Sequence, residues 1–261
     1  MDMGIKDKVA LVLGAGGGLG AAIAKSLARE GVRVAVGNRS VEGAERVVAE
    51  IHAAGGEAIP VVWDLGDLSD IEARVAQIEA TFGSIDILVN NTGGPRPSPI
   101  VGQEAALWQE SFRSMVLAVI ALTDRVLPGM RAKNWGRIIT STSSGVISPI
   151  PNLGLSNTLR ASLVGWSKTL AREVGRDGIT ANIILPGRVA TPRIGFLDEQ
   201  KAKREGRSVE EVSAESIAAI PVGRYGDPAE YGDAVTFLAS TRASYITGST
   251  IRVDGGLIAS I

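Results

Sequence analysis

Seven residues near the start of the chain, Gly14-Ala15-Gly16-Gly17-Gly18-Leu19-Gly20, carry its clearest chemical signal. They follow an apolar run at 9–13 and open a stretch of helical periodicity. Glycines at Gly14, Gly18 and Gly20 let a backbone turn sharply and approach a pyrophosphate closely. The phosphate charge is then met by free N–H groups and by the positive end of the helix that Leu19 enters. At the end of the next apolar run stands Asn38-Arg39-Ser40. A site built for NAD offers a carboxylate to the adenosine ribose there, whereas an arginine pairs with a ribose 2′-phosphate through charge-assisted hydrogen bonds. Arg39 therefore favours NADP(H) over NAD(H); the competing reading is a solvated surface arginine.

Other chemistries find little support. Cysteine is absent, His52 is the single histidine and the carboxylates are scattered, so no metal site is expected. The lack of cysteine also removes disulfides and thiolate nucleophiles, which is compatible with a reducing compartment. With 27 Lys and Arg against 28 Asp and Glu, bulk charge favours neither nucleic acid nor an anionic membrane. No apolar stretch approaches the ~18 residues of a membrane span, and the first residues lack the basic and apolar regions of a signal peptide. The expectation is a cytoplasmic protein with a small-molecule partner.

The elements that must hold these residues follow from periodicity. Short β-branched runs at 9–13, 32–36, 58–62, 85–89, 137–140, 180–185 and 249–253 read as strands, apolar almost throughout. Strands hidden on both faces belong to a parallel sheet covered by helices and joined by right-handed crossovers. Apolar residues at three- and four-residue spacing predict helices over 20–30, 41–54, 68–82, 104–130, 152–174 and 228–239. The fold class is thus α/β, a doubly wound Rossmann-type sheet in three layers, forming a single domain over 1–261. Charge-rich residues 194–220 interrupt the rhythm and read as a helical flap, either a solvated face or a mobile substrate lid.

The glycine loop, taken with Asp64-Leu65, Asn90-Asn91-Thr92-Gly93, Pro186-Gly187 and Val253-Asp254-Gly255-Gly256, resembles the short-chain dehydrogenase/reductase family over essentially the whole chain. Within the family it resembles the 3-oxoacyl-acyl-carrier-protein-reductase-like members. Leu13, Thr92 and Leu185 depart mildly from the family's usual Thr, Ala and Asn. The resemblance implies that Asp64 and Leu65 lie at the adenine and Asn90 and Gly93 along the nucleotide. It implies further that Val189 and Thr191, just after Pro186 and Gly187, lie near the nicotinamide carboxamide. It also implies a homodimer or a homotetramer, for which the stripe Leu155, Leu159, Leu163, Trp166 and Leu170 is suitable, although such a stripe is more often core.

The family's chemistry rests on Asn, Ser, Tyr and Lys, and here the pattern breaks. Aligned through Gly136-Arg137-Ile138-Ile139, the family serine falls on Ser143, the tyrosine on Ser156 and the lysine on Arg160; counted back from Leu127-Pro128, the asparagine falls on Met115. No shift restores the tyrosine, because Tyr225, Tyr231 and Tyr245 all lie far along the chain. Family tyrosines, with a pKa near 10 lowered by the adjacent ammonium, protonate the carbonyl oxygen as hydride arrives. A serine hydroxyl is a far weaker acid, comparable to water. Arginine, with a pKa above about 12, keeps its proton and suits a carboxylate or phosphate.

Two uses of Ser143, Ser156 and Arg160 follow: stabilising the oxyanion of a reactive carbonyl substrate, or binding a substrate carboxylate through Arg160. Against both stands a structural role in which Ser156 lines the helix and Arg160 meets the nucleotide. The leading expectation is an NADP(H)-dependent oxidoreductase acting on a carbonyl or alcohol compound. A nucleotide-binding sensor or scaffold without turnover is the alternative. Non-redox chemistry of the halohydrin dehalogenase kind fits less well, since those relatives keep Tyr and lose the nucleotide loop.

Overall fold

A computed structural model describes residues 2–261. Seven strands form one parallel sheet: β1 (Val9–Val12), β2 (Arg33–Asn38), β3 (Ala58–Val62), β4 (Ile87–Asn91), β5 (Gly136–Ser141), β6 (Ile179–Pro186) and β7 (Thr250–Val253). Their spatial order is β3-β2-β1-β4-β5-β6-β7, so the direction of winding reverses between β1 and β4. A crevice opens outside the carboxyl ends of the strands at such a reversal. Val12 is in register with Val36 on one side and Val89 on the other. The chain leaves β1 between them, with Leu13 N donating to Val89 O and Ala15 N to Gly37 O.

Both faces of the sheet are buried, which is why the strands carry no polar alternation. On one face Ala10, Val12, Val34, Val36 and Val89 pack against α1 (Gly18–Arg29), α2 (Val41–Ala53) and α9 (Pro228–Ala239) through Ile23, Leu27, Val47, Ile51 and Val235. On the other, Val9, Leu11, Ala35, Leu88 and Ile138 meet α3 (Ile71–Phe82), α5 (Ala118–Ala132) and α6 (Gly154–Val174) through Val75, Ile78, Leu122, Val126 and Leu170. Each fully buried Val, Leu or Ile stabilises the fold by about 1.5–3 kcal/mol.

Two expectations are corrected. The helix predicted over 104–130 is two helices, α4 (Ala105–Phe112) and α5, joined by a π turn at Arg113–Leu117. The extra residue in that turn leaves Met115 and Val116 buried against Leu155, Leu159 and Leu163 of α6. Leu155, Leu159 and Leu163 of the α6 stripe are thus core within the subunit, the commoner use expected of such a stripe, with Trp166 partly buried beside them. The charge-rich segment forms α7 (Pro192–Glu205) and α8 (Val209–Ala218), beginning two residues earlier than predicted because Thr191 caps the helix and Pro192 occupies its first turn. It is not wholly a solvated face: Asp198 is 2% exposed and accepts from Arg188 and Tyr225. Among the described residues no helix is long and apolar enough to cross a membrane.

Candidate active site

The glycine loop spans the β1–α1 turn at the edge of the crevice. Gly14 takes φ +59, and a Cβ on Gly20 would lie 2.2 Å from Gly14 O, so the loop closes only without side chains at these positions. No side chain caps α1 and no acidic residue sits in its first turn. The N–H groups of Gly18, Leu19 and Gly20, in the first turn, thus have no side-chain acceptor and suit an anion. Across the opening, a Cβ on Gly18 would rest 3.6 Å from Thr191 Cβ. Thr191 caps α7, accepting from Ile194 N. Val189 is buried and bridges to Gly226, while Pro186 ends β6 and Gly187 N donates to Val253 O.

On the β2 side, the Asn38 side chain lies over Gly16 and donates to Ser40 O. Ser40 caps α2, accepting from Gly43 N and donating to Glu42. Arg39 is exposed. Sequence reading missed Arg46, which reaches from α2 to donate to Gly16 O at 2.6 Å. Its only signal is a basic residue in the second turn of the helix that Ser40 caps. Asp64 is exposed beyond β3 and accepts from Gly66 N, with Leu65 half-buried beside it.

At the ends of β4 and β5 the site becomes polar and buried. Asn90 donates weakly to Thr140 Oγ1, but Asn90 Oδ1 and Thr142 Oγ1 find no partner among the described residues. The space where a Gly93 side chain would stand is open. These orphaned groups, the uncapped helix and the glycine cradle fit a dinucleotide.

Four residues apart on one face of α6, Ser156 and Arg160 are brought together, with Arg160 Nε donating to Ser156 Oγ at 3.2 Å. Arg160 Nη2 donates to Thr92 O and Gly93 O, both at 2.9 Å, and Nη1 reaches Ser141 O. Burial pushes the guanidinium down to about 10, Arg193 adding to the fall, so it sits below the usual arginine range yet stays charged at neutral pH. Ser143 follows β5 and accepts from Gly145 N at 3.1 Å. No hydrogen bond among the described residues links Ser143 to Ser156 or Arg160. Tyr231 was set aside for its position in the sequence, yet its hydroxyl meets Ser141 Oγ at 2.8 Å. It is wholly buried in the core, where desolvation pushes its phenol up, and its hydroxyl braces the end of β5 through Ser141.

A family model described as enoyl-(acyl carrier protein) reductase matches residues 14–258. The 3-oxoacyl-(acyl-carrier-protein) reductase of Escherichia coli (strain K12) is 36% identical over 258 residues, covering 98% of this chain and 99% of that protein. L-sorbose reductase from Gluconobacter frateurii, complexed with NADPH and L-sorbose, superposes with a TM-score of 0.94 at 32% identity, covering 100% of both chains. YwfH, an NADPH-dependent reductase involved in bacilysin biosynthesis, gives 0.92 at 29% identity, covering 97% of this chain and 99% of that one.

Proposed function

The chain belongs to the short-chain dehydrogenase/reductase family, and from that premise we propose that it is an NADP(H)-dependent oxidoreductase of a carbonyl or alcohol compound, with Ser156 and Arg160 standing in for Tyr and Lys. The observation that carries this reading is the uncapped N-terminus of α1, opening through a glycine cradle into the β1–β4 crevice. Gly14, Gly18, Leu19 and Gly20 bind the pyrophosphate there. Arg39 and Arg46, beside Asn38 and Ser40, take a 2′-phosphate, and Asp64 and Leu65 border the adenine. Asn90, Gly93, Pro186, Gly187, Val189 and Thr191 line the nicotinamide half. The two NADPH-associated reductases of like fold support the same coenzyme.

When bound, the nicotinamide supplies or accepts the hydride. The chain's own contribution at the reacting carbonyl is electrostatic: the Arg160 cation, with the Ser156 and Ser143 hydroxyls, stabilises negative charge developing on oxygen. None of the three is an effective acid at neutral pH, and general acid catalysis is worth about 10²–10⁴-fold. The preferred acceptor is therefore already polarised. Helices α7 and α8 cover the substrate side as a flap. The protein assembles as a homodimer or homotetramer through the outward face of α6, where Ala161, Ser162, Gly165 and Thr169 are exposed.

Titration of NADPH and NADH by coenzyme fluorescence, followed by NADPH oxidation with an activated ketone, tests the reading. Tighter NADPH binding with slow turnover is expected, and absence of binding would overturn it. A second reading, a nucleotide-binding protein without turnover, draws on Arg160 giving its N–H groups to main-chain carbonyls. Tight binding with no oxidation across a range of carbonyl compounds would favour it.

A further inference from the structure

Gly94, just past β4, is approached by polar groups from two other parts of the chain. A methyl group built on its Cα lies 3.6 Å from Arg160 Nη2, 3.6 Å from Arg193 Nη2 and 3.8 Å from Ser156 Oγ. Arg160 comes from α6 and is 8% exposed; Arg193 comes from the first turn of α7 and donates to Pro95 O at 2.9 Å. Both guanidinium groups bond only to neutral oxygens. Among the described residues neither forms a salt bridge with any Asp or Glu, although ion pairs fill the rest of α7 and α8. Arg137 is the other deeply buried arginine with carbonyl acceptors, and the Trp135 ring lies 4.4 Å from its guanidinium. Arg160 has no such ring, and the ring nearest Arg193, that of Phe196, is more distant at 5.7 Å.

Arg160 is buried and Arg193 is exposed at its side; two like charges so placed repel one another, and an anion between them removes the repulsion. Arg160 Nη2 already gives its hydrogens to Thr92 O and Gly93 O, so Arg160 offers a carboxylate its charge. Arg193, with one N–H on Pro95 O, keeps donors free in a planar fork that matches a carboxylate in geometry as well as in charge. A side chain at position 94 would occupy the space that such a group needs. The pyrophosphate is provided for elsewhere, at the α1 N-terminus, so these cations are free for a different anion.

We propose that the substrate is a short oxo acid, or the hydroxy acid it forms, with its carboxylate over Gly94 between Arg160 and Arg193. Its carbonyl lies within a bond or two of that carboxylate, toward Ser156. This rests on the oxidoreductase reading above and names the substrate class of that same site.

The test titrates NADP⁺-loaded protein calorimetrically with acetoacetate and 2-oxobutyrate and with the methyl ester of each. NADPH binding is measured separately by fluorescence. At least one acid should bind about tenfold or more tightly than its ester. Arg193→Gln should remove most of that difference while leaving NADPH affinity in place, and Arg193→Lys should recover part of it. Gly94→Ala, whose methyl group meets ordinary contact distances, should fold and lose acid binding. Equal binding of acids and esters, binding of neither, or an Arg193→Gln defect confined to NADPH affinity overturns the oxo-acid assignment alone. A chain that fails to bind NADPH overturns the oxidoreductase reading with it.

Discussion

Arg46 Nη2 donates to the Gly16 carbonyl at 2.6 Å, joining the second turn of α2 to the glycine loop. Arg39, at the end of β2, makes no side-chain hydrogen bond among the described residues and stands exposed on the same side of the crevice. A 2′-phosphate held by both would gain two charge-assisted partners, each worth roughly 1.5–3 kcal/mol. Arg39→Ala should weaken NADPH binding about 10- to 100-fold and leave NADH binding nearly unchanged. Arg46→Ala, which also frees the Gly16 carbonyl of the glycine loop, should weaken NADPH binding clearly more than NADH binding. Fluorescence titration reads both values, and an equal loss for the two coenzymes would mean that neither arginine meets the 2′-phosphate.

Ser156 and Arg160 occupy the positions from which the family delivers its proton. Restoring that chemistry requires both changes, because a tyrosine needs a neighbouring ammonium to lower its pKa. The double variant Ser156→Tyr with Arg160→Lys should raise the rate of reduction of an activated ketone by about 10²-fold, within the range for general acid catalysis. The single variant Arg160→Lys should gain nothing in rate and lose stability, since it gives up the fork that spans Thr92 O and Gly93 O. NADPH oxidation followed at saturating coenzyme decides the matter; an unchanged double variant would show that the pocket excludes the acid geometry.

Much of this arrangement was legible in the sequence, for physical reasons that also mark where legibility ends. Strands such as Val9–Val12 are buried on both faces, so continuous apolar runs marked them without ambiguity. The glycine loop was legible because its backbone forbids side chains at Gly14 and Gly20. The π turn at Arg113–Leu117 was not, since apolar spacing over 104–130 is nearly the same for one helix as for two joined by an extra residue. Arg46 and Arg193 act across 30 and 98 residues, on the carbonyls of Gly16 and Pro95, and main-chain acceptors leave no trace in residue type. Asp198 looked like part of a solvated charge run because the partners that bury it, Arg188 and Tyr225, lie outside that run.

Glu230 gives a pH signature. Its carboxylate accepts from Arg224 Nη1 and Nη2 at 2.8 and 2.7 Å and from Asp227 N at 2.7 Å. The Arg224 hydrogen bonds, followed by that backbone N–H, hold it down to about 2 against an ordinary 4.5. The unfolded chain takes up a proton near the ordinary value and the folded chain does not. The contribution to stability is therefore complete above about pH 4.5 and is lost as pH falls toward 2. Glu230→Gln should lower the thermal midpoint at pH 7, with the gap to the unaltered protein narrowing between pH 4.5 and 3. A gap that stays constant with pH would assign the loss to helix capping alone.

Asp198 decides whether the flap is anchored. Its carboxylate accepts from Arg188, from Tyr225 OH at 2.7 Å and from Ser213 Oγ at 3.4 Å, tying α7 to the exit of β6, to α8 and to the approach to α9. Removing the acceptor leaves the Arg188 charge and the Tyr225 hydroxyl without their partner, at a cost of roughly 2–3 kcal/mol. Asp198→Ala should lower the urea midpoint accordingly and speed proteolysis within 194–220 more than elsewhere. Asp198→Asn keeps an acceptor oxygen without the charge and should fall between. Because α7 also carries Arg193, a loosened flap moves that guanidinium off Gly94, so oxo-acid binding should weaken in step with the rise in cleavage. Faster cleavage with undiminished acid binding would separate the anchor from the site and show that Arg193 reaches Gly94 whether or not the flap is held.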